Sequence, residues 1–396
     1  MTEVRIGVTY PGDLGDPAER SGTPHGIVSG LRQLGVEVTA VPVSTSPLVE
    51  KAVAVTTGAA PDTKTRGTSI AARMRARGSR GLQSTTTAWL RSRVGTHRAN
   101  HVDVDAWVQL GGGYRLQVDE PIAVYDDMTV LQARQYSYGN WADLPEALVR
   151  RRARLQGDVY RSAAACCTES SWAAAAISDG FFVPEERISV VGTGTDWRPE
   201  TAGRDWSTPR LLFVGLDWER KNGARVLDAF RRLRHDYPEA TLDIVGRHPP
   251  VEEPGVRGHG VLPRNSVEGR RALEQLFAQA TCFVMPSLFE PAGIVFTEAL
   301  AAGLPSVGGA IGGSRDLIGD AGVVVNPTDS RAIETAVREM LEPARAAEVG
   351  ARASRRARLF TWAAVSARLL HSLGIQAPNG YEVTPLPNTS GREIGQ

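Results

Sequence analysis

At 396 residues the chain is too long for one doubly wound unit and long enough for two, each with its own core. Its 45 Lys plus Arg against 44 Asp plus Glu leave a formal charge of +1, which excludes an overall electrostatic case for nucleic acid as the main partner. Cys166, Cys167 and Cys282 lie outside any Cys/His cluster and predict reduced thiols; with neither a leader pattern nor an apolar run of membrane length, they predict a soluble, cytoplasmic protein.

Short apolar runs alternate with amphipathic stretches of helical length, which predicts an α/β chain of parallel strands joined by crossover helices. In the first half, residues 6–9 and 36–41 read as strands around a helix over 25–34 that stops at Gly35. Residues 106–110 and 121–125 are further strands, 144–160 a long helix, 172–177 the middle of a small-residue helix and 188–191 a closing strand. The aperiodic stretch that follows predicts a linker over 193–208 between a domain at 1–192 and a second at 209–359. The second set has strands at 211–214, 242–245, 282–285, 306–307 and 323–325, with helices beginning near Asn222, Glu268, Gly293 and Ser330. The segment 360–374 is expected to be a helix that rejoins the first domain, and 376–396 a poorly ordered tail.

Between Lys64 and Arg98 the chain carries Arg66, Arg73, Arg75, Arg77, Arg80, Arg91 and Arg93 and no acidic residue. A solvated, Arg-rich pair of helices explains this; an anionic acceptor or a membrane surface is the functional alternative.

The most informative segment is 289–305, Phe-Glu-Pro-Ala-Gly-Ile-Val-Phe-Thr-Glu-Ala-Leu-Ala-Ala-Gly-Leu-Pro, which begins where an apolar strand ends. Doubly wound folds place their ligand loops there. Pro291 and Gly293 turn the backbone tightly, and 294–302 reads as a helix whose first N–H groups suit a phosphate. Glu290 at the helix mouth and Glu298 about a turn inside set two carboxylates along one ligand, as acceptors for sugar or ribose hydroxyls. On spacing alone the commoner reading is a solvated Glu298 and a Glu290 that only favours the helix dipole.

The whole string narrows that choice. It resembles the EPxG(x)4E signature of retaining glycosyltransferases of family 4, matched by Glu290, Pro291, Gly293 and Glu298 and followed by Gly303-Leu304-Pro305. The resemblance runs from Ile6 to about Leu373 and is strongest in the second half. It implies a GT-B fold, two Rossmann-like doubly wound domains facing a central cleft. It also implies a retaining, metal-independent sugar transfer from a nucleoside diphosphate sugar to a small-molecule or glycan acceptor, with no further cofactor.

By the same resemblance, Arg220 and Lys221 after the strand 211–214 neutralise the donor diphosphate, although Leu216 stands where many members carry Arg. Glu290, Pro291, Ala292, Gly293, Ile294 and Val295 form the donor loop and helix opening. Glu298 holds the ribose and Leu262 lies against the base. In the first half, Gly22 opens a helix onto the donor phosphate, and 121–129 is similar to a segment in which many members carry a His near the reacting sugar. Asp127 is the candidate there, with capping of the next helix as the structural alternative. Asp127, Glu290 and Lys221 are thus the expected catalytic residues. His25 reads as a lining or surface residue, and the glycine-rich stretch 308–316 as a turn that shapes the site.

A dinucleotide oxidoreductase, the rival enzyme class, needs G-x-G-x-x-G after a strand with an acid about twenty residues on. Neither 7–15 nor 215–223 has that spacing. Two readings within the fold stay open: a nucleotide-binding protein that has lost turnover, and a glycosyl phosphorylase or disaccharide synthase.

Overall fold

The computed structural model describes residues 3–17, 19–44, 83–200, 203–386 and 393–394. The chain forms two compact units, one of Met1–Val191 with Ser366–Val383, the other of Gly192–Val365 with Thr384–Gln396.

The first unit contains β1 (Arg5–Tyr10), α1 (Thr23–Gln33), β2 (Glu37–Pro42), α2 (Thr85–Ala99), β3 (Ala106–Leu110), β4 (Ile122–Asp126), α3 (Val130–Gln135), α4 (Glu146–Ser162), β5 (Ala165–Thr168), α5 (Ser171–Phe181) and β6 (Ile188–Val190). Its sheet is parallel in the order β2-β1-β3-β4-β5-β6. Strands β3 and β5 are buried along their whole length, as expected of central parallel strands covered on both faces. The sheet order reverses between β1 and β3, so their C-terminal ends border the crevice where doubly wound sheets bind ligands.

The second unit contains β7 (Arg210–Val214), α6 (Gly223–Leu233), β8 (Thr241–Val245), β9 (Val256–Gly260), α7 (Val267–Gln279), β10 (Cys282–Met285), α8 (Ile294–Ala301), β11 (Ser306–Gly309), α9 (Ser314–Ile318), β12 (Gly322–Val325), α10 (Ser330–Leu341) and α11 (Pro343–Arg356). Helix α12 (Trp362–Ser372) follows, and the chain re-enters the first unit at Ser366. The second sheet is parallel in the order β13-β12-β11-β10-β7-β8-β9, with β13 (Glu393–Ile394) paired to Val324 and Val325. Its reversal lies between β7 and β10.

The two units make the α/β fold anticipated from the alternating pattern. Three findings refine the chain-order reading. Strand β9, sequence VRGHG, lacks apolar alternation because most of it is exposed. Part of the expected tail is instead a strand, β13. The expected linker segment is anchored on the second unit. Trp197 packs edge-on against Phe277 at 4.7 Å and donates to Glu274 at 2.8 Å, while Arg204 donates to the carbonyls of Phe277, Ala278, Ala302 and Gly303.

The second core centres on Phe283, which stacks on Phe277 at 5.8 Å and meets Phe296 edge-on at 5.4 Å, all three buried. Among the described residues no helix is long and apolar enough to cross a membrane. The Arg-rich reading from Arg66 to Arg80 lies outside the described residues; Arg91 and Arg93 are on α2. We expect Phe283→Ala to cost the second unit about 3–5 kcal/mol through lost contact and the cavity left behind, seen as a lower urea midpoint for its unfolding.

Candidate functional site

At the reversal of the second sheet, the loops after β7 and β10 are held together by a buried ion cluster. Lys221, 8 % exposed, donates to Glu290 Oε2, and Arg220 Nη1 reaches the same oxygen at 3.3 Å. Ser287 adds a hydroxyl donor to it at 3.1 Å. Burial alone pushes the Glu290 carboxyl up, but the charges of Lys221 and Arg220 and the bonds from Lys221 and Ser287 prevail and hold it below the usual carboxylate range. Burial lowers the Lys221 ammonium, with Arg220 adding to the effect against the attraction of Glu290.

The backbone is fixed as firmly as the side chains. Asn222, in the left-handed region at φ 65, caps α6 and donates to the carbonyls of Pro286 at 3.0 Å and Pro327 at 2.7 Å. Glu290 N donates to Ile311 O at 3.0 Å and Gly313 N to Glu290 O at 2.8 Å. Between them Gly312 has φ 105, and a Cβ there would stand 1.9 Å from Glu290 O, so the turn admits only glycine. The glycine-rich stretch thus shapes the site by holding the Glu290 backbone.

Gly293, at φ 83, opens α8 without a side-chain cap, at the same end of the sheet as the loop that carries Arg220 and Lys221. Such a terminus with two cations nearby suits an anion. Pro291, Ala292 and Val295 are buried around this turn, with Ile294 half-buried. Glu298 is not the solvated helix residue that spacing alone favours. It is 4 % exposed, and both its oxygens are taken by the guanidinium of Arg264, one at 2.9 Å. Leu262, two residues before Arg264, is half-buried against the core. Leu216 is 57 % exposed at the end of β7.

Gly22 and Asp127 belong to the first unit. The loop after β1 enters α1 through three successive left-handed residues, Arg20 at φ 43, Ser21 at φ 58 and Gly22 at φ 88. That strained turn carries the Arg20 guanidinium to Asp127 at 2.7 Å and to Asp126 at 3.6 Å. The two neighbouring acids differ sharply. Asp126 is 6 % exposed, and its Oδ2 accepts from Gly112 N at 2.8 Å, Tyr160 at 2.9 Å and Gln156 at 3.4 Å. Asp127 is half-exposed and held by Arg20, while Thr129 makes the capping box of α3, so Asp127 does not cap that helix. His25 is exposed on α1. Arg20, Asp126, Glu169 and Arg264 were missed in the sequence because each meets its partner only in the fold.

The chain matches the family described as "Glycosyl transferases group 1" over residues 208–343. A glycogen synthase of Mycobacterium tuberculosis (strain ATCC 25618 / H37Rv) is 36% identical over 194 residues, 45% of this chain and 46% of that protein. A GDP-mannose-dependent alpha-(1-6)-phosphatidylinositol monomannoside mannosyltransferase of Mycolicibacterium smegmatis (strain ATCC 700084 / mc(2)155) is 35% identical over 146 residues, 33% of this chain and 38% of that protein. The chain thus spans less than half the length of these curated relatives. Among solved structures, a sucrose-phosphate synthase from Thermosynechococcus elongatus superposes with a TM-score of 0.63 at 17% identity, covering 93% of this chain and 98% of the other.

Glu169 provides a test of the first-unit cluster. Burial, and next the charge of Asp127, push its carboxyl up to about 8, with Arg20 opposing. The native state keeps this proton up to about 8 while the unfolded chain releases it near the ordinary 4.5, so its contribution to stability is complete below 4.5 and is lost as the pH rises to about 8. Glu169→Gln should therefore raise the melting temperature above wild type at pH 8 and leave it level at pH 4.5; equal shifts at both would remove the assignment.

Proposed function

We propose, on the premise that residues 208–343 are a glycosyl transferases group 1 domain within a GT-B fold, that this chain moves a sugar from a nucleoside diphosphate sugar to an acceptor hydroxyl with retention of configuration and without a metal. The observation that carries the reading is the meeting of Arg220, Lys221 and Glu290 beside the uncapped α8 terminus, at the reversal of the second sheet.

The bond that breaks joins the sugar's anomeric carbon to the diphosphate, and the electron pair leaves with the nucleoside diphosphate. Arg220, Lys221 and the N–H groups at Gly293 stabilise the charge that develops, the role a metal takes in other transferases. Among the described residues, the side-chain donors to Glu290 all fall on Oε2. Oε1 then orients a hydroxyl of the donor sugar. Glu298 takes the ribose hydroxyls beside Arg264, and Leu262 lies under the base. The acceptor attacks from the face the leaving group departs, passing its proton to a donor phosphate oxygen, so no enzyme nucleophile is needed. Asp127, kept in place by Arg20, contacts the sugar or the attacking hydroxyl.

Melting curves with UDP, GDP, ADP and dTDP and their sugar conjugates test the donor site, because a ligand that binds only the native state raises the midpoint. GDP belongs in that panel in view of the mannosyltransferase relative. A shift with one base supports the reading; a shift with NAD or NADP alone overturns it. Lys221→Ala should lower transfer on the order of 10²-fold and also lower the nucleotide-free melting midpoint, because Glu290 stays buried with one cation fewer; near-normal turnover would remove its role. EDTA should leave the rate unchanged. A rate that falls and is restored by a divalent ion would end the metal-free mechanism.

A further inference from the structure

Two arginines of the second unit are tied to the backbone. Arg204 donates to four carbonyls at 2.7–3.2 Å, and Arg356 donates to Leu317 O at 2.7 Å and Asp316 O at 2.6 Å. Arg264 is held differently. Among the described residues its guanidinium has one partner, the Glu298 carboxylate, with Nη1 on Oε1 and Nη2 on Oε2 at 2.9 Å. The two side chains are unequally exposed, 40 % for Arg264 and 5 % for Glu298. The guanidinium therefore stands between the carboxylate and solvent, and a ligand that reaches Glu298 has to displace it.

The turn that carries Arg264, between β9 and α7, is fastened on both sides of it. Gly246 N donates to Gly260 O at 2.8 Å, and Ser266, the N-cap of α7, donates both its N and its Oγ to Pro263 O at 3.3 Å. Pro263 is also pressed on α7, where a Cβ on Gly269 would stand 2.2 Å from Pro263 O. Release of Glu298 thus asks only a side-chain rotation of Arg264, which lies between exposed Pro263 and Asn265 and turns out into water. The chemistry of the exchange is matched. A guanidinium fork gives a carboxylate two parallel N–H donors, and a vicinal diol gives two O–H donors to the same two oxygens. A sugar with one of those hydroxyls missing leaves an oxygen of a buried carboxylate without the donor it had, which is costly.

We infer that Arg264 gates Glu298: it holds the carboxylate that the nucleoside ribose needs and yields it to a vicinal diol, so that one side chain sets donor affinity and the preference for ribose over 2′-deoxyribose. The inference rests on the reading of Glu298 as the ribose carboxylate. Each nucleotide bound spends part of its interaction on parting the ion pair, so the apparent affinity is lower than that of the same site with Glu298 open. Removing the arginine therefore tightens binding. Loss of a cation near an anionic ligand acts in the opposite direction by charge alone, so the sign of the change separates the gate from a general electrostatic role.

The test titrates the full chain by calorimetry with UDP, GDP and ADP, each beside its 2′-deoxy counterpart, and with inorganic pyrophosphate, using wild type, Arg264→Ala and Arg264→Gln. Wild type should bind its preferred ribonucleotide on the order of 10-fold more tightly than the 2′-deoxy form. Arg264→Ala should tighten that ribonucleotide on the order of 10-fold, while pyrophosphate, which carries no ribose, binds no better than to wild type. Arg264→Gln keeps one neutral donor for Glu298 and should fall between. It decides the matter if Arg264→Ala, with a buried carboxylate left bare, does not fold. Ribonucleotide affinity at or below wild type in the folded variants overturns the gate, as does an equal tightening of pyrophosphate. Failure of the ribose reading has its own signature: wild type binds the ribo and 2′-deoxy forms equally, and the gate falls with it. Wild type and variants that bind none of the three nucleotides overturn the donor site as a whole.

Discussion

Burying a carboxylate costs several kcal/mol unless donors and opposite charge meet it. Glu290 is met by Lys221, Arg220 and Ser287, brought from two loops that are far apart in the chain. Much of the second unit's loop architecture follows from that requirement. The loop after β7 must deliver both cations, so it turns through a left-handed Asn222; the loop after β10 must place the carboxylate, so its backbone is pinned against the close-packed turn at Gly312. Asp217 adds a second acid, with its Oδ2 3.5 Å from Arg220 Nε, so two cations are set against one buried and one exposed carboxylate next to a helix end without a side-chain cap.

The first unit meets a related requirement at the cost of backbone strain. Arg20 and Ser21 adopt a conformation that costs a residue with a side chain on the order of 1–3 kcal/mol each, and the carboxylates held by Arg20 compensate for it. The neighbouring acids divide their duties. Asp126 is consumed by bonds to Gly112, Tyr160 and Gln156, whereas Asp127 keeps an exposed side and one strong partner. Reading the segment 121–129 as a strand followed by two acids could not separate them, because every partner of Asp126 comes from elsewhere in the chain.

This pattern of what was legible recurs. Strands β3, β7, β10 and β12 stand out in the sequence because parallel strands covered on both faces are continuous apolar runs, and such runs carry their own boundaries. Strand β9 escaped because its faces are largely solvated, and β13 because two residues make no pattern. The same holds for the site. Glu290 and Gly293 sit within one continuous string and were readable there, as were the adjacent Arg220 and Lys221. Arg264 and Arg20 pair with acids 34 and 107 positions away, and the periodicity of a single chain segment holds no trace of such a pairing.

Asn222 carries a consequence that reaches past its own loop. One amide nitrogen bridges the carbonyls of Pro286 and Pro327, and so clamps together the segments that follow β7, β10 and β12. None of these segments can swing away alone without leaving a buried polar group bare. They are mechanically one piece, and their amide protons should exchange with solvent as a single opening unit, with one shared rate in place of three separate ones.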